Sequence, residues 1–172
     1  MDEDFFLIQK MKLGSEAAMD TFVHKYYADI LHYCYRHLYD SGEAEDAAQE
    51  TFERFFRHLQ EYRHYGKAKN YLYVIAGNLC KSRYGTTSAV PLDESIEADG
   101  DHAETIAVKT DLSAALQKLP AELRDVLILH YFQDLTLREI ADILQIGLPL
   151  IKYRLKQAKA CMREMLGEEE YP

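Results

Sequence analysis

TLREIADILQIGLPLIKYRLKQAKACMREML, residues 136–166, has the layout of two helices joined by a tight turn. Thr136 and Glu139 are spaced as a capping box, in which each side chain accepts from the other residue's backbone N–H. Residues 137–144 then form a short helix that buries Ile140, Ala141 and Leu144, with Ala141 small where a second helix must approach. Gln145 to Leu148 make the turn. The next helix, residues 149–166, opens on Pro149, whose missing N–H is harmless in a first turn. At 3.6 residues per turn, Ile151, Leu155, Ala158, Met162 and Leu166 line its apolar side. Pro149, Tyr153, Lys156 and Gln157 point away from that side, flanked by Lys152 and Arg154. This is a helix-turn-helix pattern. Exposed positions at the start of the second helix can reach base edges while flanking cations sit on phosphates.

Working outward, the rest of the chain also carries the helical period. Residues 105–118 and 120–132 read as helices, with Pro120 in the first helical position. In the first half, residues 3–13 form a helix stopped by Gly14, and Ser15 caps a long helix to residue 39. Met19, Phe22, Tyr26, Ile30, Tyr33 and Cys34 lie along one side of it. Ser41 caps a helix to residue 62 whose buried stripe is Ala44, Ala48, Thr51, Phe52, Phe55 and Leu59. Asp46, Gln49, Glu50 and Glu53 fall on its opposite, polar side. A further helix covers residues 68–83. Strand-like alternation is absent, so the expected fold is all-α: two small helical domains, residues 1–84 and 105–172, joined by a flexible acidic linker, residues 85–104. The linker opens on Gly85-Thr-Thr-Ser, is interrupted by Pro91, and carries Asp93, Glu94, Glu97, Asp99, Asp101 and Glu104.

The 172 residues are 48% hydrophobic, enough to bury a core, and carry a net charge of −9. That balance alone argues against DNA binding by overall charge. Its distribution argues otherwise. Residues 62–92 contain no acid and five cations, Arg63, Lys67, Lys69, Lys81 and Arg83. Residues 149–166 carry +4, which leaves −18 on the remainder. Two anion-binding surfaces on an acidic body are expected. In the first of them Tyr62, Tyr65, Tyr71, Tyr73 and Tyr84 interleave with the cations, a composition suited to single-stranded DNA.

Enzymatic chemistry has no foothold. There is no phosphate-binding GxxxxGK[ST], no GxSxG and no HExxH, and no cofactor is implied. The seven histidines give no i, i+4 pair on a helix; His32 and His37 are five apart. Cys34, Cys80 and Cys161 are widely spaced, which suits neither a disulfide scaffold nor a zinc site and points to a reducing cytoplasm. Cys80 is expected beside the DNA face. No apolar run reaches bilayer length, so no stable membrane insertion is expected, and the acidic start MDEDFFLIQK is unlike a secretory leader.

Together the motifs resemble a bacterial RNA polymerase sigma factor of the extracytoplasmic-function group. EAEDAAQETFERFF (residues 43–56) is similar to the family's polymerase-clamp helix, and YRHYGKAKNYLYVIAGNLCKSRY (62–84) to its minus-ten element reader. LQKLPAELRDVLILHYFQDLTLREIADILQI (116–146) with IKYRLKQAKACMREML (151–166) is similar to its minus-thirty-five element reader. The resemblance implies a transcription initiation factor that binds core RNA polymerase and promoter DNA, as duplex and melted strand, and that is restrained by an anti-sigma factor. It implies clamp contacts at Asp46, Gln49 and Glu50, with Glu53 on the same face. Residues 62–69 match the loop that captures a flipped base, and Asn78 a promoter-contacting asparagine. The minus-ten candidates are thus Tyr62, Arg63, Tyr65, Lys67, Lys69, Asn78, Lys81 and Arg83. Those for the minus-thirty-five element are Pro149, Lys152, Tyr153, Arg154, Lys156 and Gln157. The acidic linker would suit the positively lined polymerase channel that the family's linker enters. Departures from the family are Tyr71 in place of a usual Trp, Val74 and Gly77 where cations or larger residues are frequent, and Pro149-Leu150 in place of Gly-Thr. The competing reading is a conventional helix-turn-helix regulator with an N-terminal dimerisation or sensing domain, which would bind duplex tightly on its own.

Overall fold

Eight α-helices and one π-helical turn, with no strand, make up the regular structure among residues 3–84 and 103–167, which the computed structural model describes. The chain divides into two compact units, Met1–Asp93 and Glu94–Pro172. Residues 85–102 of the expected linker lie outside the described residues, including Asp93, Glu94, Glu97, Asp99 and Asp101; its last two positions belong to a helix.

The first unit contains α1 (Glu3–Lys12), α2 (Glu16–Leu38), α3 (Ser41–Arg57) and α4 (Ala68–Tyr84). The long α2 packs against the other three, and α3 packs against α4. Gly14 ends α1 with φ +90°. This left-handed turn lets the Ser15 N–H reach the Lys10 carbonyl at 3.1 Å and the Gly14 N–H reach Met11 at 3.0 Å. Ser15 then caps α2, its Oγ accepting from the Ala18 N–H.

Two boundaries differ from expectation. Asp40, not Ser41, caps α3, its Oδ1 accepting from the Glu43 N–H at 2.8 Å. An anionic acceptor at a helix N-terminus gains from both the bond and the dipole, so the carboxylate takes the cap and Ser41 becomes the first helical residue. The helix also stops at Arg57 instead of residue 62. Leu59 stays buried, but from a turn.

The core of this unit is aromatic. Phe22 stacks on Phe55 at 4.8 Å and meets Tyr26 and Phe52 edge-on, the offset geometries that ring quadrupoles favour. The expected stripe on α3 is buried throughout, and Ala47 joins it; on α2, Met19 is only half-buried. Asp4 is buried where α1 meets α2. It accepts from the Tyr26 hydroxyl and from Lys25 Nζ at 2.9 Å. The bond to Asp4 pushes the Lys25 ammonium above its ordinary range, and burial pushes the Tyr26 hydroxyl up. A Cβ at Gly77 would lie 3.0 Å from the Tyr33 hydroxyl, so glycine here lets α4 approach α2 closely.

The second unit contains α5 (Ala103–Lys118), α6 (Ala121–Leu127), α7 (Leu137–Leu144) and α8 (Leu148–Leu166), with α5, α6 and α7 all packed on α8. The single helix expected over 120–132 is α6 followed by a π-helical turn, Ile128–Phe132, closed by the Gln133 N–H on the Ile128 carbonyl at 3.1 Å. The widened turn carries His130 Nδ1 to 2.9 Å from the Leu135 carbonyl. Pro120 precedes α6 as its cap, and Pro149 is the second residue of α8, each one place from expectation. Arg124 is buried and donates to the carbonyls of Leu116, Gln117 and Leu119 at 2.9–3.1 Å, at and just past the end of α5, where the Leu116 carbonyl also accepts from the Leu119 N–H. Both bonds of the Thr136–Glu139 capping box form. Ile140, Ile151, Leu155, Ala158 and Met162 are buried as expected, Ile143 joins them, and Ala141, Leu144 and Leu166 are half-buried.

Candidate polymerase and nucleic-acid interfaces

On α3, Asp46, Gln49 and Glu53, all exposed, lie on a different face of the helix from the buried Phe52 and Phe55. Glu50 is set apart. It is half-buried at the α4 side, with one oxygen 2.9 Å from Arg54 Nη2 and the other 3.0 Å from Arg83 Nη2. Arg83 also reaches Glu43 at 2.7 Å. The bond from Arg83, then that from Arg54, holds the Glu50 carboxyl below the usual carboxylate range. Two residues expected on different surfaces therefore meet each other.

Between α3 and α4 the chain runs through turn and irregular backbone. Tyr62 is half-buried, its ring centroid 5.2 Å from both Phe55 and Tyr71 and its hydroxyl 3.2 Å from His64 Nδ1. Tyr65 is the opposite case. It is 80% exposed beside Gly66, whose φ of +80° makes the turn, and Arg63 and Lys67 are exposed on either side. Lys69 turns back into the unit, 2.8 Å from Asp29 and over the Tyr73 ring. Asn78 and Lys81 are exposed on α4 three residues apart, hence on one face. Cys80 is buried rather than beside that face, because the α4 positions packed on α2 and α3 include it along with Ala76 and Leu72.

On α8, Pro149, Lys152, Tyr153 and Lys156 are exposed, Tyr153 at 60%. Gln157 is half-buried. Arg154 is half-buried as well, 3.6 Å from Glu122 at the start of α6. Leu150, named above only as part of the Pro149-Leu150 departure, is exposed as well, three residues from Tyr153. Lys159 lies over the Tyr131 ring at 5.4 Å.

Among the described residues, no group of three or more His, Cys, Asp or Glu side chains could hold a metal ion, and no helix is long and apolar enough to cross a membrane. His37 sits half-buried with its ring 4.6 Å from Tyr33.

One unit thus carries an exposed aromatic among cations, and the other a helix-turn-helix with an exposed basic second helix. The chain matches Sigma-70 region 2 over residues 22–89 and Sigma-70, region 4 over residues 109–162. It is 32% identical to the ECF RNA polymerase sigma factor SigW of Bacillus subtilis, over 94% of this chain and 95% of that protein. The fold is similar to that of CnrH, solved in complex with the cytosolic domain of CnrY (TM-score 0.79, 18% identity, 96% and 97% of the two chains). It is also similar to the sigma factor RpoE solved with the anti-sigma factor NepR from Bartonella quintana (TM-score 0.74, 17% identity, 87% and 97%). The chain belongs to the ECF RNA polymerase sigma factors. It is a non-enzymatic transcription initiation factor that directs RNA polymerase to promoters, which sets aside the reading as a conventional regulator.

Proposed function

We propose that residues 1–84 dock on polymerase and read the minus-ten element, and that residues 105–172 read the minus-thirty-five element, with residues 85–104 as the connection between them. Polymerase docks on the outward face of α3 through Asp46, Gln49 and Glu53, with Glu50 at its edge. Tyr65, Arg63 and Lys67 capture melted DNA, and Asn78 and Lys81 contact the adjoining promoter. Tyr62, Lys69 and Arg83 support this surface from beneath, since each is engaged inside the unit. The start of α8 enters the major groove with Pro149, Lys152, Tyr153, Lys156 and Gln157, and Arg154 flanks it.

The observation that carries this assignment is the contrast between Tyr65, 80% exposed between two cations, and Tyr62, packed between Phe55 and Tyr71. An open ring among cations can stack on an unpaired base for about 1–3 kcal/mol. Tyr65→Ala should lower promoter opening by holoenzyme, read as permanganate reactivity of unpaired thymines, with core affinity unchanged. Unchanged opening would refute the assignment.

The factor acts in the cytoplasm, in keeping with three free cysteines. An anti-sigma partner restrains it; the complexes in which the two similar folds were solved support that reading.

A further inference from the structure

We infer that α1 is a positioning element for the DNA-capture loop, acting through Lys12 and Gln60; this rests on the assignment of Tyr65 above. The α1 helix lies ahead of the matched Sigma-70 region 2, which begins at residue 22. Its last residue nonetheless exchanges two hydrogen bonds with the segment leading to the loop. Lys12 Nζ donates to the Tyr62 carbonyl at 2.6 Å, and Gln60 Nε2 donates to the Lys12 carbonyl at 3.0 Å. The Lys12 carbonyl is one of the four that a helix end leaves unpaired, so Gln60 completes α1 while Lys12 fixes Tyr62.

The other end of α1 is stapled to α2. Asp4 is buried against Lys25 and Tyr26, and Ile8 and Met11 are buried between the two ends. The anchor is therefore rigid where it grips. What it grips leads into irregular backbone: the Tyr62 N–H still reaches the His58 carbonyl at 3.1 Å, but residues 63–65 belong to no helix that would hold their direction. Tyr65 lies three residues beyond the pinned carbonyl. Holding Tyr62 by its backbone, and its ring by Phe55 and Tyr71, restricts the directions in which Tyr65 can project. The ordering of the loop then precedes DNA binding, and less entropy is lost when a base is trapped. Both bonds lie near the surface, so their removal should act on capture far more than on folding.

The test uses full-length variants assembled with core RNA polymerase, on a promoter selected by wild-type holoenzyme from random-sequence duplex DNA. Lys12→Met should lower the open-complex equilibrium, read by permanganate, by about tenfold, the equivalent of one charge-assisted bond, and Gln60→Ala by about threefold to fivefold, the equivalent of a neutral one. Lys12→Arg should restore most of it, because a guanidinium can still donate to the carbonyl. Core affinity and melting temperature should stay at wild-type values in all three. Wild-type opening by Lys12→Met, failure of Lys12→Arg to restore opening, or a loss of core affinity or melting temperature in step with opening would each overturn the inference. Tyr65→Ala separates the two levels. If it lowers opening and Lys12→Met does not, only the role of α1 fails; if it leaves opening unchanged, the loop assignment fails and the role of α1 with it.

Discussion

Arg83 on α4 donates to Glu50 on α3 across 3.0 Å, and the same guanidinium reaches Glu43 at 2.7 Å. The pair joins the helix assigned to polymerase with the helix assigned to DNA. Arg83 thereby offsets the acids at the edge of α3, and Glu50 places its charge at the helix interface as well as at the edge of the proposed docking face.

This bridge makes the first unit acid-sensitive. The folded state holds Glu50 below its ordinary value of 4.5, chiefly through Arg83. The folded state therefore binds fewer protons than the unfolded chain, and the stabilisation is present above the ordinary value and lost as pH falls through the folded one. The melting temperature of wild type should fall more steeply than that of Glu50→Gln between about pH 5 and pH 3. At neutral pH, Arg83→Met should cost about 0.5–1 kcal/mol, in the range of partly exposed ion pairs. Parallel pH curves for wild type and Glu50→Gln would remove the bridge from the list of stabilising contacts.

Arg124 is the costliest single polar side chain to remove in the second unit. The residue is 3% exposed, and its guanidinium serves three carbonyls at and just past the end of α5. Arg124→Met keeps the stem but removes all three bonds, leaving Leu116 only its bond from the Leu119 N–H, for a loss of about 3 kcal/mol in denaturant unfolding. Arg124→Lys keeps the charge without the planar fork and should recover only part of that loss.

Gly77 explains one departure from the family pattern by packing. A Cβ there meets the Tyr33 hydroxyl at 3.0 Å. Alanine in a helix is otherwise worth about 1 kcal/mol over glycine. Gly77→Ala should show that gain in a Tyr33→Phe background and little of it in wild type. Equal effects in the two backgrounds, measured as a double-mutant cycle, would mean that the hydroxyl does not restrict the position.

Much of this was legible in local spacing. Phe22, Tyr26 and Ile30 on α2 and Phe52 and Phe55 on α3 each repeat at helical intervals, and Thr136 with Glu139 is a local signal of a helix start. The end of α3 was not legible, because Leu59 continues the apolar period four residues after Phe55 whether the chain stays helical or turns. The π-helical turn after Leu127 depends on how His130 and Leu135 meet, which no short pattern encodes. At the candidate site, residue types were readable but their partners were not. Tyr62 and Tyr65 look alike among the cations, and only packing on Phe55 and Tyr71 tells them apart. Likewise Lys69 and Arg83 count as free charge in a sequence, whereas Asp29 and Glu50, 40 and 33 residues away, hold them.

The separation of the polymerase face from the promoter face is tested most directly by measuring core affinity and promoter retention for two variants side by side. Asp46→Ala with Gln49→Ala changes α3 without touching Glu50, and Lys152→Ala with Tyr153→Ala changes α8 without touching the Arg154–Glu122 pair. The α3 variant should lose core affinity about tenfold or more, the equivalent of one interface hot spot, and retain promoter normally once saturated with polymerase. The α8 variant should bind core as wild type does and lose retention on duplex carrying the minus-thirty-five element. Equal losses of core affinity in the two variants would contradict the separation of the two faces.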